Sequence, residues 1–337
     1  MIAGARIRFD RKTWLGLAVA VPLAALLLWL TLRNMDLREV WVRLKSARAG
    51  WFAAAIAAQA VALVLRAARW RVLLNAEGTL PLGTVFSAIS AGYLGNNVLP
   101  ARMGELIRTA AVAWAGSLSL SYVLATALTE RLVDAAALMA VASAALAVMA
   151  GLPEWLHRTA RVLGVASAIG IAGMVLLPHL ERPLLKILGH LPFGARIQSL
   201  TRQFLLGLRA LHHPWRAFQF LLLTALIWPI DGLMAVWVGA SLAVPLGFGR
   251  GMLLIAALGL SSAVPSTPGY VGVYQFAAVT VLAPLGVDRE DALAIVLLLQ
   301  AAIYLVMTVA GLAGIALLRK LSPSPDPACP TLAGPTV

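Results

Sequence analysis

The sequence has little of what soluble enzymes, secreted domains and metalloproteins use. One cysteine, Cys329, occurs in 337 residues, so no disulfide within the chain and no cysteine–histidine metal cluster can form. Charged residues are 12% of the chain, well below the ~25% of a soluble domain. The five histidines (His157, His179, His190, His212 and His213) all fall in expected loops or helix ends, where a solvated role outweighs catalysis. There is no Gly-x-x-x-x-Gly-Lys-Ser/Thr phosphate loop, no His-Glu-x-x-His and no Gly-x-Ser-x-Gly elbow. The run Gly259-Leu260-Ser261-Ser262 is too slight to read as an intramembrane serine protease site. No cofactor or metal is expected.

What is abundant is apolar surface. Hydrophobic residues are 61% of the chain and the mean hydropathy is +0.88. Uncharged runs such as 14–32 and 218–230 read as membrane-embedded. The first run is too long for a signal-peptide core and lacks a small-x-small site before Arg33, so it is expected to be a spanning anchor. The net charge of +13 is scattered through loops between apolar spans. That is the pattern of the positive-inside rule and of attraction to anionic headgroups, not of nucleic-acid binding.

Apolar length and charged flanks place spans near 14–32, 51–65, 118–150, 160–178, 217–242 and 292–318. Between them lie two broken elements, 84–114 and 250–286. The first breaks at Asn96-Asn97-Val98-Leu99-Pro100-Ala101-Arg102-Met103-Gly104-Glu105, the second at Ser261-Ser262-Ala263-Val264-Pro265-Ser266-Thr267-Pro268-Gly269-Tyr270. Each arm is too short for a ~30 Å hydrocarbon core at 1.5 Å per residue, which favours re-entrant hairpins. Breaks at matched positions of two halves point to a transporter site near the bilayer midplane. Counting basic residues favours both termini inside, with 66–71 and the 182–216 loop cytoplasmic, although the loop 33–48 is also basic. The expected fold is therefore all-α and polytopic. It is an inverted repeat of three spans and one re-entrant hairpin per half, with eight thin, tilted spans as the alternative. Residues 1–321 form one transmembrane domain, with halves near 14–150 and 160–318, and the Pro-rich tail 322–337 is expected to be disordered. Apolar stripes at Leu37, Val40, Trp41, Leu44 and at Ile197, Leu200, Phe204, Leu208, Leu211 predict helices that lie in the interface or pack as connectors.

Ionisable groups inside apolar segments cost roughly 2.5–3.5 kcal/mol each at mid-membrane, so each needs a reason. Arg102, Glu105 and Arg108 are three apart on the helix that restarts after the first break and share one face. Glu130, Arg131 and Asp134 are spaced to bridge between helices. In one reading the arginines grip a phosphate through their planar fork, helped by helix N-termini near Gly104 and Gly269, while carboxylates balance charge or relay protons. In the other, the charges form a structural ion-pair network. Asn96, Asn97 and Pro100 complete the first candidate site. Ser266, Pro268, Gly269, Gly272 and Gln275 form the second, which is uncharged and reads as a headgroup contact, a cavity closure or a small-residue packing motif. Asp231, just after Pro229, is a lone acid, expected as a proton site or a partner for a hairpin N–H.

The run from Gly92 to Arg108 resembles the Asn-x-x-Pro-x-Arg-x-Gly-Glu-x-x-Arg signature of the lysylphosphatidylglycerol synthase transmembrane-region family. Glu130-Arg131-x-x-Asp134 is similar to its Glu-Arg-x-x-Asp step, and the segment from Pro265 to Gln275 to its Pro-Gly-x-x-Gly segment. The basic-aromatic run Leu65-Arg66-Ala67-Ala68-Arg69-Trp70-Arg71 is similar as well. Many members carry Glu where this chain has Gln275. Aminoacyl-transferring members add a large soluble C-terminal domain, whereas this sequence ends in a short Pro-rich tail. The resemblance thus implies the membrane half alone, a flippase-like protein of the inner (plasma) membrane that moves a polar lipid without making it.

The expected function is translocation of an anionic, aminoacylated or polyprenyl-phosphate lipid without nucleotide hydrolysis. The alternative is a non-transporting scaffold or regulator of a separate envelope enzyme that transfers lipids or sugars. The charge count makes a direct prediction of topology: cysteine probes at Gln198 and Ser322 stay unlabelled by an impermeant reagent in intact cells, and labelling of either overturns the inverted arrangement.

Overall fold

In the computed structural model of the chain, the described residues are 11–99, 103–149, 153–176, 201, 205, 207–208, 211–264 and 267–321. Pro100, Arg102, Ser266, most of the 197–211 stripe and the tail 322–337 lie outside them. Every regular element among the described residues is helical. The helices are α1 (Arg11–Leu32), α2 (Leu37–Lys45), α3 (Ala49–Leu74), α4 (Leu82–Val98), α5 (Met103–Ala115), α6 (Leu120–Val148), α7 (Glu154–Leu176), α8 (Pro214–Ser241), α9 (Phe248–Ser261), α10 (Val273–Leu282) and α11 (Arg289–Leu321).

Local chemistry sets many of the boundaries. Asp36 caps α2 by accepting from the Arg38 and Glu39 amides, and Ser119 caps α6 by accepting from that of Tyr122. Pro214 opens α8 at a position that needs no amide hydrogen. Glu290 and Asp291 sit at the positive start of α11, and Arg319 and Lys320 at its negative end.

Helices α3, α6, α8 and α11 are long and apolar enough to cross a membrane. So is the segment Pro268–Leu285 around α10, and a sixth span results if the bent pair α1–α2 counts as one. The chain is thus a polytopic membrane protein. Its outer surface carries exposed apolar side chains such as Leu26, Val61, Leu128, Val165, Leu221 and Leu312. Four exposed tryptophans stand at helix ends: Trp51, Trp155 and Trp215 at the starts of α3, α7 and α8, and Trp114 at the end of α5. That is where interfacial aromatic anchors belong.

Several placements differ from the sequence reading: among the described residues, α7, over the span expected at 160–178, is not one of the helices long and apolar enough to cross, whereas Pro268–Leu285, expected as a hairpin arm too short to span, is. The span expected at 51–65 continues to Leu74, so Arg66 and Arg69 lie within α3 rather than in a cytoplasmic loop. They are partnered inside the bundle, and the solvation that the charge count assumed does not apply to them. Helix α2 turns 86° from α1 and packs as a connector. Val40 is buried and Arg43 pairs with Asp291 at the start of α11, while Leu37 and Trp41 remain exposed.

The most extensive helix pairing is α3 on α8; α4 lies on α11 and on α5, and α9 on α8, α6 and α10. Two apolar clusters form the core. One gathers the early part of α3, the late parts of α6 and α8, and α9, α10 and early α11; the other gathers late α3, α4, α5 and early α6. Between them, late in α3 and near the middles of α6, α8 and α11, lies a polar layer. The α4–α11 contact depends on small residues: a Cβ at Gly311 would lie 2.6 Å from the Leu94 Cβ, and one at Gly314 2.6 Å from the Ser87 carbonyl oxygen. Gly314→Ala is expected to lower stability by about 1–3 kcal/mol through overpacking. Gly83→Ala, where a Cβ meets nothing within 4 Å, should be neutral or stabilising by up to about 1 kcal/mol. Thermal unfolding in detergent reads both, and equal shifts would refute the close-packing account.

Candidate functional site

The polar layer is built on α3. The fork of Arg69, which is 1% exposed, grips Asp134 with Nη1–Oδ1 at 2.6 Å and Nη2–Oδ2 at 2.9 Å. The same Nη2 donates to Glu130 Oε1 at 2.9 Å, and Nη1 to Thr224 Oγ1 at 3.2 Å. The guanidinium also lies 5.3 Å from the centre of the Phe220 ring. One turn earlier, Arg66 pairs with Asp231 of α8 and faces the Trp228 ring. Helix α5 brings Arg108, whose Nε donates to Glu105 at 2.7 Å and Nη1 to Glu130 at 3.1 Å, over the Trp70 ring at 4.6 Å. Arg131 of α6 closes the chain by donating to Glu105.

Four guanidiniums and four carboxylates thus interlock α3, α5, α6 and α8. Such a network needs complete pairing, because an unpaired charge in this setting costs several kcal/mol. Exposure separates its members. Arg69, Arg108 and Glu130 are 1–2% exposed, whereas Arg131 is 45% and Glu105 27%. The inner part is a clasp, and the Arg131–Glu105 pair is its accessible edge.

That edge opens onto a cavity of about 520 Å³. Asn96, Asn97 and Glu105 from the flanks of the first break line it, as do Ser262, Tyr270 and Tyr274 from those of the second. The two breaks therefore face one space, and α4 touches the Pro268–Tyr270 turn directly. Arg66, Arg131, Asp134 and Asp231 also line the cavity; Arg69, Arg108 and Glu130 are not among its lining residues. Asp231 meets Arg66 rather than a hairpin amide.

Gly104 has a different neighbour from the one its position suggests. A Cβ there would strike the Gly92 carbonyl oxygen and lie 2.6 Å from Asn96 Oδ1, so its bareness lets α5 pack on α4. At the second break, Gly269 has φ +71° and its carbonyl oxygen accepts from Gln300 Nε2 at 3.0 Å and from the Tyr304 hydroxyl. Gln275 accepts from the Gly272 amide at 2.7 Å and donates to Gln300 Oε1 at 2.5 Å. The uncharged break is held by an amide lattice anchored on α11.

A family model for the lysylphosphatidylglycerol synthase TM region matches residues 13–311. The chain belongs to that family. No curated protein matches it. For this member of the lysylphosphatidylglycerol synthase TM-region family, sequence reasoning missed Arg66, Arg69, Gln300 and Tyr304 as site residues. The first two were masked by their basic neighbours at an expected helix end. Gln300 and Tyr304 had a readable signal, polar groups four apart on the long apolar α11.

Arg69→Ala leaves Asp134 without its bidentate partner and Glu130 with Arg108 alone, and is expected to cost about 3 kcal/mol. Arg69→Lys, which keeps the charge but loses the fork, should recover only part of that. Thermal unfolding of the purified variants measures both, and full recovery by lysine would overturn the bidentate clasp.

Proposed function

We propose that this protein moves a phosphate-bearing lipid between membrane leaflets without chemistry on the lipid and without nucleotide hydrolysis. One observation carries the reading: the flanks of both chain breaks and the accessible Arg131–Glu105 edge line a single cavity at mid-helix depth. Arg131 suits a phosphate because its planar fork donates two bonds at once. The lipids that fit the reading are anionic, aminoacylated or polyprenyl-phosphate lipids, and the driving force is a lipid or ion gradient.

In this reading α4–α5 and α9–α10 are re-entrant hairpins of an inverted repeat, in an inner membrane with both termini cytoplasmic. The helix pairings support that arrangement, since α3 meets its counterpart α8, and each hairpin packs on the last span of the opposite half, α4 on α11 and α9 on α6. Helix length supports it for two of the four arms: at 1.5 Å per residue α5 and α9 reach only ~20 Å, short of a ~30 Å core, whereas the segment Pro268–Leu285 is long enough to cross, as the eight-span alternative requires.

The test is lipid movement by purified protein in liposomes. Arg131→Ala is expected to slow movement about tenfold or more, the scale of one charge-assisted contact, while unfolding temperature stays near that of the unmodified protein. A rate unchanged by Arg131→Ala refutes the anion-site assignment. If the unmodified protein moves none of the anionic, aminoacylated or polyprenyl-phosphate lipids, the translocation reading fails and a scaffold for an envelope enzyme replaces it.

A further inference from the structure

A second recess, of about 450 Å³, lies away from the cavity between the breaks, where the end of α3 meets the start of α8. Arg71 from the last turn of α3 and Arg216 from the first turn of α8 line it, together with the side-chain amides of Asn75 and Gln219. Unlike the arginines of the polar layer, neither has a carboxylate partner among the described residues. Arg71 donates from Nε to the Leu80 carbonyl at 2.6 Å, which steadies the side chain while neither Nη has a partner among the described residues. Glu77, the acid nearest to Arg71 in sequence, is exposed and does not line the recess.

Arg216 also stands where a cation is disfavoured. The start of a helix is its positive end, and the first turn of α8 holds no acid to offset it. The segment 182–216 that leads into α8 carries Arg182, Lys186, Arg196, Arg202, Arg209 and Arg216 and no acidic residue. This end of the α3–α8 joint therefore lacks an anion that the neighbouring chain does not supply.

The depth of the recess says where that anion comes from. Trp215 is exposed and stacks on Phe218 with ring centres 5.5 Å apart, which marks the headgroup level of a membrane. Leu222, six residues beyond Arg216 on α8, lines the same recess and is exposed, as is Leu82 at the start of α4. At 1.5 Å per residue Leu222 lies ~9 Å deeper than Arg216, at the level of acyl chains. Basic and amide groups at the rim and apolar walls below match a lipid rather than a free anion.

We infer that this recess holds an anionic phospholipid as a resident partner, with its phosphate on Arg71 and Arg216 and an acyl chain along Leu82 and Leu222. Asn75 and Gln219 serve the remaining headgroup oxygens. Because α3 on α8 is the most extensive helix pairing, a lipid bound to both clamps the joint that carries the Arg66–Asp231 pair. The site is separate from translocation, since a scaffold would hold such a lipid equally well.

The test is binding of phosphatidylglycerol and phosphatidylcholine to the purified protein in detergent, read by native mass spectrometry and by the rise in unfolding temperature. Phosphatidylglycerol is expected to bind about tenfold or more tightly than phosphatidylcholine. Arg216→Gln removes a charge that has no protein partner, and should weaken phosphatidylglycerol binding about fivefold, the scale of one arginine at an anionic surface. Arg131→Ala, which alters the cavity between the breaks, should leave the preference in place. Loss of the preference in Arg131→Ala, or unchanged binding in Arg216→Gln, overturns the inference and assigns the lipid elsewhere. Equal binding of the two lipids overturns it, as does equal protection by sn-glycerol 3-phosphate, which has the phosphate without acyl chains. Disulfide dimers of Gln219→Cys in native membranes, in a Cys329→Ser background, would put a second copy of the chain in the recess and overturn it too.

Discussion

The pairing of buried Arg69 with Asp134 and Glu130 is the constraint on which the rest of the structure depends. A guanidinium buried inside an apolar bundle is tolerable only if its charge and donors are met by protein. Asp134 and Glu130 lie four apart on α6, so meeting both sets the rotation and height of α6 against α3. Glu130 has a second oxygen to satisfy, which brings in Arg108 and with it α5. The same logic one turn away joins α3 to α8 through Arg66 and Asp231. A few costly charges thereby specify an arrangement that apolar packing alone leaves open, because apolar faces in lipid have no solvent-driven preference for one another.

The two chain breaks solve the same problem by different means. Irregular backbone within a membrane protein survives only where protein or trapped water satisfies it. At the second break the free carbonyl of Gly269 is met by Gln300 and Tyr304, and the amide of Gly272 by Gln275. At the first, the restarting helix α5 is fastened by charge, through Glu105 and Arg108 to α6. Gln275 is locked into its lattice as both acceptor and donor, so in this chain the second break is a rigid wall and the first carries the ionic chemistry.

Rigidity and exposure divide the cavity in the same way. Members of the network that are out of reach hold the helices in register. The pair that can be reached, Arg131 and Glu105, sits where the helix after the first break meets α6. In the proposed transport reading, a ligand exchanging with this pair would act on the contact between α5 and α6 and leave the Arg69 clasp in place.

Much of this was legible in the sequence. Apolar run lengths located the helices, Pro and Gly located both breaks, and the spacing of Glu105 with Arg108 and of Glu130 with Asp134 placed those groups on shared faces, because helical periodicity is local physics. The partners were not legible. Arg66 and Arg69 read as solvated loop charges because a basic helix end and a buried clasp have the same local composition, and only the extension of α3 to Leu74 distinguishes them. Gly104 read as a site of ligand approach, and its contact with Gly92 and Asn96 shows a helix-packing role. The sequence determined that Glu105, Arg108, Glu130, Arg131, Asp134 and Asp231 must find partners inside the membrane; the tertiary structure decided that Arg66 and Arg69 are among those partners, since pairing between helices dozens of residues apart depends on packing that no local pattern encodes.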